Sequence, residues 1–290
     1  MNLKEFLEKT DPILIDGAMG TQLAKAGLEM GGQNCVSHPE DVLAIHKKYA
    51  EAGCRLLITN TLTMNRIYIE SHKINVDVRE VNRTGARLAK TAAGSGRYVL
   101  GDIGSTGKML EPYGDLKESD AVETYKEQAK YLMEGGVDGF IIETMIDLNE
   151  MLCALRACKA VSDLPVIASM SYTSPKNGGR TIMGNSAEDC ARALTAEGAS
   201  AVGANCGDLD PMEMSHVVST LKAASDVPII AQPNAGKPTL IGDETVFDMT
   251  PEEFAIGVVE CHKAGARLLG GCCGTSPEHI EALAKKLGMI

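Results

Sequence analysis

The chain predicts a single (β/α)8 barrel, and three observations carry that expectation. Short apolar runs alternate eight times with helical stretches along the 290 residues. Most runs, such as Leu56-Leu57-Ile58 and Phe140-Ile141-Ile142, lack the polar alternation of a half-exposed strand, as a parallel sheet covered on both faces requires. Connections from helix to strand are short, whereas those from strand to helix at 61–76, 104–119, 172–186 and 233–249 are long. That asymmetry suits a barrel, whose catalytic face is built from strand-to-helix loops. A doubly wound open sheet is the rival, because periodicity alone does not say whether a sheet closes. No Pro/Ser-rich linker or shift in composition divides the chain, so residues 1–290 read as one domain.

In chain order, the expected strands are 12–16, 55–60, 98–103, 138–143, 165–171, 200–205, 227–232 and 266–271. The expected helices are about 39–52, 78–93, 120–135, 148–162, 187–197, 211–225, 251–264 and 277–287. Several helices end in a glycine turn, at Ala52-Gly53-Cys54, Gly135-Gly136, Glu197-Gly198-Ala199 and Ala264-Gly265-Ala266, which lets the backbone reverse into a strand. The starts read as caps with a glutamate three residues on. They are Ser37-x-x-Glu40, Asp147-x-x-Glu150, Asp210-Pro211-x-Glu213, Thr250-Pro251-x-Glu253 and Thr275-x-x-Glu278.

Composition narrows the function classes. With 44% hydrophobic residues the chain can bury a core without staples. A net charge of −11 argues against a nucleic-acid backbone or an anionic membrane as partner. The N-terminus, Met1-Asn2-Leu3-Lys4-Glu5-Phe6, is amphipathic without the apolar core of a signal peptide, and no stretch approaches a membrane span. Nine cysteines without framework spacing favour reduced thiols and a cytoplasmic location.

The strand ends collect Asp16, Asn60, Asp102, Glu143, Ser171, Cys206, Asn234 and Cys272-Cys273, the makings of a polar active-site mouth. Cys272 and Cys273 lie among glycines in Gly270-Gly271-Cys272-Cys273-Gly274-Thr275. Neighbours on a regular strand face opposite ways, and the glycines free the backbone from that limit. With Cys206 they describe a three-thiolate Zn2+ site with an open position, and open sites do chemistry. Three thiolates leave such a centre with a formal charge of −1, poor for activating water but suited to holding a fourth thiol as thiolate. A free thiol of pKa about 8.5 is only a few per cent ionised at neutral pH, so the gain in reactive sulfur exceeds about tenfold. A vicinal disulfide or redox pair is the weaker alternative, since it leaves Cys206 without a role. Cys35, Cys54, Cys153, Cys158, Cys190 and Cys261 read as core residues, and the six histidines lack metal-ligand spacing. In Asp16-Gly17-Ala18-Met19-Gly20-Thr21, the N–H groups of Gly20 and Thr21 offer a carboxylate site. Asp16 and Glu143 offer an ammonium site, against the plainer reading of a cap or internal ion pair. Asn234 offers an oxygen near the metal, or is only a turn residue.

These motifs, with Thr59-Asn60-Thr61, Gly101-Asp102-Ile103-Gly104, Glu143-Thr144 and Asn205-Cys206, resemble the homocysteine S-methyltransferase family. The resemblance runs in order from about residue 10 to residue 285. It implies a zinc-containing (β/α)8 barrel with Cys206, Cys272 and Cys273 as ligands. It also implies that Asp16, Gly20, Thr21 and Glu143 bind the amino-acid end of homocysteine, with Asn234 beside the zinc and methionine as product. The chain differs where it reads Asn60-Thr61-Leu62-Thr63-Met64-Asn65 in place of Asn-Thr-Phe-Gly-Ala-Asn, and where Asp102 stands in place of a serine. It carries neither the long C-terminal extension of betaine-type relatives nor an Asp-x-His-x-x-Gly cobalamin motif. The close likeness to the homocysteine-binding module of cobalamin-dependent methionine synthase implies methylcobalamin on a separate corrinoid protein as donor. A small sulfonium such as S-methylmethionine is the alternative, followed by a different thiol acceptor or a non-catalytic binding subunit.

Overall fold

The computed structural model describes residues 1–242 and 244–290. Within them, eight parallel strands pair around a barrel. They are β1 (Ile13–Leu14), β2 (Leu56–Ile58), β3 (Tyr98–Ile103), β4 (Gly139–Met145), β5 (Val166–Met170), β6 (Ala201–Asn205), β7 (Ile229–Gln232) and β10 (Ala266–Leu269). A short antiparallel hairpin, β8 (Thr239–Ile241) with β9 (Glu244–Val246), rises between β7 and the helix Pro251–Lys263. The sheet runs from β2 through β3 to β7 and then β10 and β1, and a parallel bridge from Ile15 to Leu56 joins its two ends. That bridge decides between barrel and open sheet.

Two apolar layers hold the barrel. Alternate strand residues point inward, so Ile13, Ile15, Leu56, Leu100, Ile141, Ile167, Ile230 and Leu268 form one interior cluster. The helix Leu3–Lys9 adds Leu3, Phe6 and Leu7 to that cluster, and Phe6 packs on Tyr98 at the start of β3. It therefore stoppers the N-terminal end of the barrel, which leaves the opposite mouth for chemistry. The second, larger cluster lies between the strands and the surrounding helices. Keeping the inward parity, two further residues lead from Leu100 to Asp102, from Ile141 to Glu143 and from Ile230 to Gln232. The same alternation that fills the core thus ends, at the mouth, in polar groups.

The long connections are partly ordered. The first contains the helix Arg66–Ser71 and the last contains the β8–β9 hairpin. Capping boxes form at Asp210 with Glu213 and at Thr250 with Glu253, as the pattern predicts. Three other starts differ. The helix Pro39–Glu51 is preceded by His38 without a side-chain cap, because proline at its first position sets the start two residues after Ser37. Asp147 caps its helix through the Asn149 N–H, while Glu150 turns into the protein and accepts from Thr106 N–H, Thr106 Oγ1, Ser105 Oγ and Tyr125 OH. At the last helix Ser276 and His279 make the box, which leaves Thr275 free for another task.

Candidate metal centre and substrate pocket

The three thiols meet at the mouth. Cys206 follows β6, Cys272 and Cys273 follow β10, and their Sγ atoms all lie within 4.8 Å of one another. Cys206 and Cys273 are 3.9 Å apart. A tetrahedral zinc at about 2.3 Å from each sulfur sets neighbouring sulfurs about 3.8 Å apart, so the spacing fits that ion. Cys206 reaches the position with φ 56, a left-handed conformation uncommon outside glycine and a mark of functional strain. Cys272 N–H donates to Pro233 O at 2.8 Å, Ala235 N–H to Cys273 O at 2.9 Å, and Cys206 N–H to Gln232 O at 3.2 Å. These bonds stitch three loops into one frame. Gly271 is required there, because a Cβ would lie 2.5 Å from Thr275 Cγ2. All nine cysteines are free, and the other six are buried as core residues.

The thiols share protons. Hydrogen bonds from Cys272 and Cys273 bring Cys206 down to about 3, against the opposing effect of burial. The same sharing with Cys206 pushes Cys272 well up and Cys273 up to about 12. Cys206 is therefore the first of the three to ionise, and a metal would have to displace the remaining protons.

A cavity of about 290 Å3, at the small end of ligand pockets, opens beside the cluster. Cys206, Cys272, Cys273, Glu143, Gly20 and Thr21 all line it. Asp16 and Asn234 do not. Asp16 lies just behind the wall, where Oδ2 accepts from the Ile58 N–H at 2.9 Å and buried Oδ1 has no partner. Asn234 donates through Nδ2 to Gly207 O at 2.9 Å, helps Cys206 to ionise, and has a buried, unpartnered Oδ1. Glu143 Oε2, Asp102 Oδ1, Thr21 Oγ1 and Gln232 Oε1 are likewise buried without partners. Groups of this kind are costly unless something binds them. Burial raises Asp16 well above the usual carboxylate range, and burial together with the neighbouring Cys206 raises Glu143 to about 7.

Several residues support the site in ways that the sequence does not predict. Asn205 Oδ1 accepts from Thr144 N–H at 2.9 Å and from Ser169 Oγ at 2.7 Å, while its Nδ2 donates to Thr144 Oγ1 at 2.7 Å. It fixes the left-handed turn at Thr144, φ 59, immediately after Glu143. Thr275 Oγ1 donates to Cys272 O at 2.7 Å and accepts from Ala18 N–H at 3.0 Å, tying the Asp16–Thr21 turn to the thiol loop. Tyr49 OH steadies that turn through Ala18 O at 2.8 Å. Inward strand parity would have pointed to Asn205, whereas Thr275 reads as a cap until the turn it meets is known.

The profile of the homocysteine S-methyltransferase family matches residues 13–287. Among solved structures, the metallated form of the homocysteine methyltransferase MmuM from Escherichia coli is 21% identical. The alignment covers 98% of this chain and 99% of that one with a TM-score of 0.81. The apo form of the same enzyme is 22% identical over 97% of each chain, with a TM-score of 0.74. The carboxyl transferase domain of Rhizobium etli pyruvate carboxylase is 14% identical over 99% of this chain and 48% of that one, with a TM-score of 0.57. At these identities the structural likeness is one of fold.

Proposed function

The chain belongs to the homocysteine S-methyltransferase family, and from that premise we propose that it methylates homocysteine to methionine at a zinc centre on Cys206, Cys272 and Cys273. The observation that carries the reading is a three-thiol cluster with zinc spacing that opens into the same small cavity as Glu143 and the Gly20–Thr21 turn. Zn2+ held there would keep a fourth, substrate sulfur ionised at neutral pH while leaving it nucleophilic.

The protein's own residues bind and aim the substrate. The N–H groups of Gly20 and Thr21 open the helix Gly20–Lys25, have no partner within it, and meet the substrate carboxylate. Glu143 Oε2 and Asp16 Oδ1 accept from the ammonium, which supplies the donors they lack. Anchored at that end, the side-chain sulfur is directed at the thiol cluster. Asn234 stands with Cys206 and leaves an oxygen free beside the cluster. The proposed methyl donor is a methylated corrinoid carried by a separate protein, a reading that rests on the likeness of this barrel to the methionine synthase module, with S-methylmethionine as the alternative.

Metal analysis and zinc-edge X-ray absorption test this directly. One zinc per chain with three sulfur neighbours, becoming four with homocysteine, is expected, and an unchanged sulfur count would reject the acceptor. Methionine formation is then compared with a methylcorrinoid protein, free methylcobalamin and S-methylmethionine as donors. Turnover with S-methylmethionine alone would replace the corrinoid donor by a sulfonium.

Gly20→Ala separates fold from binding. A Cβ there would meet Met30 at 3.5 Å, ordinary contact, so the melting temperature should move little. The added methyl would crowd the N–H groups assigned to the carboxylate. Homocysteine binding should weaken roughly tenfold, the worth of about one charged hydrogen bond, and unchanged affinity by calorimetry would remove Gly20 from the site.

A further inference from the structure

We infer that Asp102 is a third substrate-contacting carboxylate, one that makes the pocket select thiols bearing an ammonium group. The inference rests on the proposed homocysteine reading and deepens it. Strand alternation places the residue: Leu100 is in the interior core, and Asp102 follows it by two on β3 with the same inward parity. Asp102 pairs in register with Ile141 of β4, whose next inward neighbour is Glu143. Both acids line the cavity, at 5% and 9% exposure.

Asp102 has no ion pair for its charge among the described residues. Its N–H donates to Thr59 Oγ1 at 2.9 Å and its carbonyl accepts from Thr61 Oγ1 at 2.9 Å, so the backbone is satisfied. The carboxylate meets no cationic or side-chain donor, only the N–H of the next residue, Ile103, and Oδ1 is buried without a partner. No lysine, arginine or histidine lines the cavity among the described residues. Independently of the acids, the buried Gln232 Oε1 and the Thr21 Oγ1 also lack partners on the same wall. The wall is thus rich in acceptors and poor in cations, and an ammonium with three N–H donors is the complementary ligand. Asp16 spends one oxygen on Ile58 and stands off the wall, whereas Asp102 stands on it. Asp102 and Glu143 therefore flank the ammonium, and Asp16 reaches it from behind them through Oδ1 alone.

The test uses three thiols on the zinc-loaded protein, followed by calorimetry: homocysteine, 3-mercaptopropylamine without the carboxylate, and 4-mercaptobutanoate without the ammonium. Asp102→Asn keeps the shape and removes the charge. It should weaken homocysteine and 3-mercaptopropylamine by ~10–100-fold while leaving 4-mercaptobutanoate within about twofold. Its melting temperature should equal or exceed that of the parent, since a buried carboxyl without partners is lost. Asp102→Ser, a smaller side chain, should show the same pattern and guards against a folding defect in the first variant. Homocysteine affinity unchanged in both variants, or equal loss for all three thiols, overturns the role of Asp102. A parent protein that fails to prefer the ammonium thiols overturns the homocysteine reading itself, and the two failures are therefore distinct.

Discussion

Cys273→Ala is expected to lose zinc retention and methyl transfer together. Structural zinc sites gain about 10–16 kcal/mol from their whole ligand set. Removing one of three thiolates should then cost on the order of 3 kcal/mol or more, about a hundredfold or more in affinity, and dialysis against a chelator would strip the metal. Methyl transfer should fall to background, because a free homocysteine thiol is only a few per cent ionised at neutral pH. Cys272→Ala should behave alike. Cys158→Ala, in the core and away from the cluster, should keep its zinc and lose only some stability. The pH dependence has a defined sign. Cys272 and Cys273 are raised by proton sharing with Cys206, so zinc must expel their protons and its affinity should climb as pH rises. Full activity in Cys273→Ala, or zinc affinity flat with pH, would reject the centre.

The barrel was legible because its signals are local and repeated. A buried run such as Phe140-Ile141-Ile142 and a cap such as Asp210-Pro211-x-Glu213 each announce one element. Closure was not legible, since it rests on one bridge between Ile15 and Leu56, residues distant in sequence. The thiols could be named in advance because adjacent cysteines among glycines have little structural use. The cavity wall was less visible. Asp16 and Asp102 look equivalent as strand-end acids, and only packing decides that Ile58 N–H engages the first while the second faces the cavity. Glu150 and Thr275 misled as cap residues because three-residue spacing does not specify side-chain direction, and both turn inward to hold loops.

Glu143→Gln should move binding and stability in opposite directions. Loss of the charge facing the ammonium should weaken homocysteine by ~10–100-fold, while zinc content stays at one per chain. The fold, however, gains. Burial first, and the neighbouring Cys206 second, raise this carboxyl from 4.5 to about 7, with the Gln232 amide opposing them. A carboxyl whose folded value is raised binds its proton more tightly in the folded state. Its effect is therefore neutral below about pH 4.5, grows more destabilising as pH rises toward 7, and is complete above that. Glutamine carries no such penalty. The variant should match the parent near pH 4.5 and exceed it at pH 8 by on the order of 3 kcal/mol, read from denaturant unfolding at each pH. A binding partner reverses the balance, because an ammonium beside Glu143 favours the ionised form. Homocysteine should consequently raise the melting temperature of the parent more than that of the variant, by a margin that widens from pH 6 to pH 8. Equal protection of both proteins by homocysteine would mean that Glu143 faces the cavity without gripping its ligand.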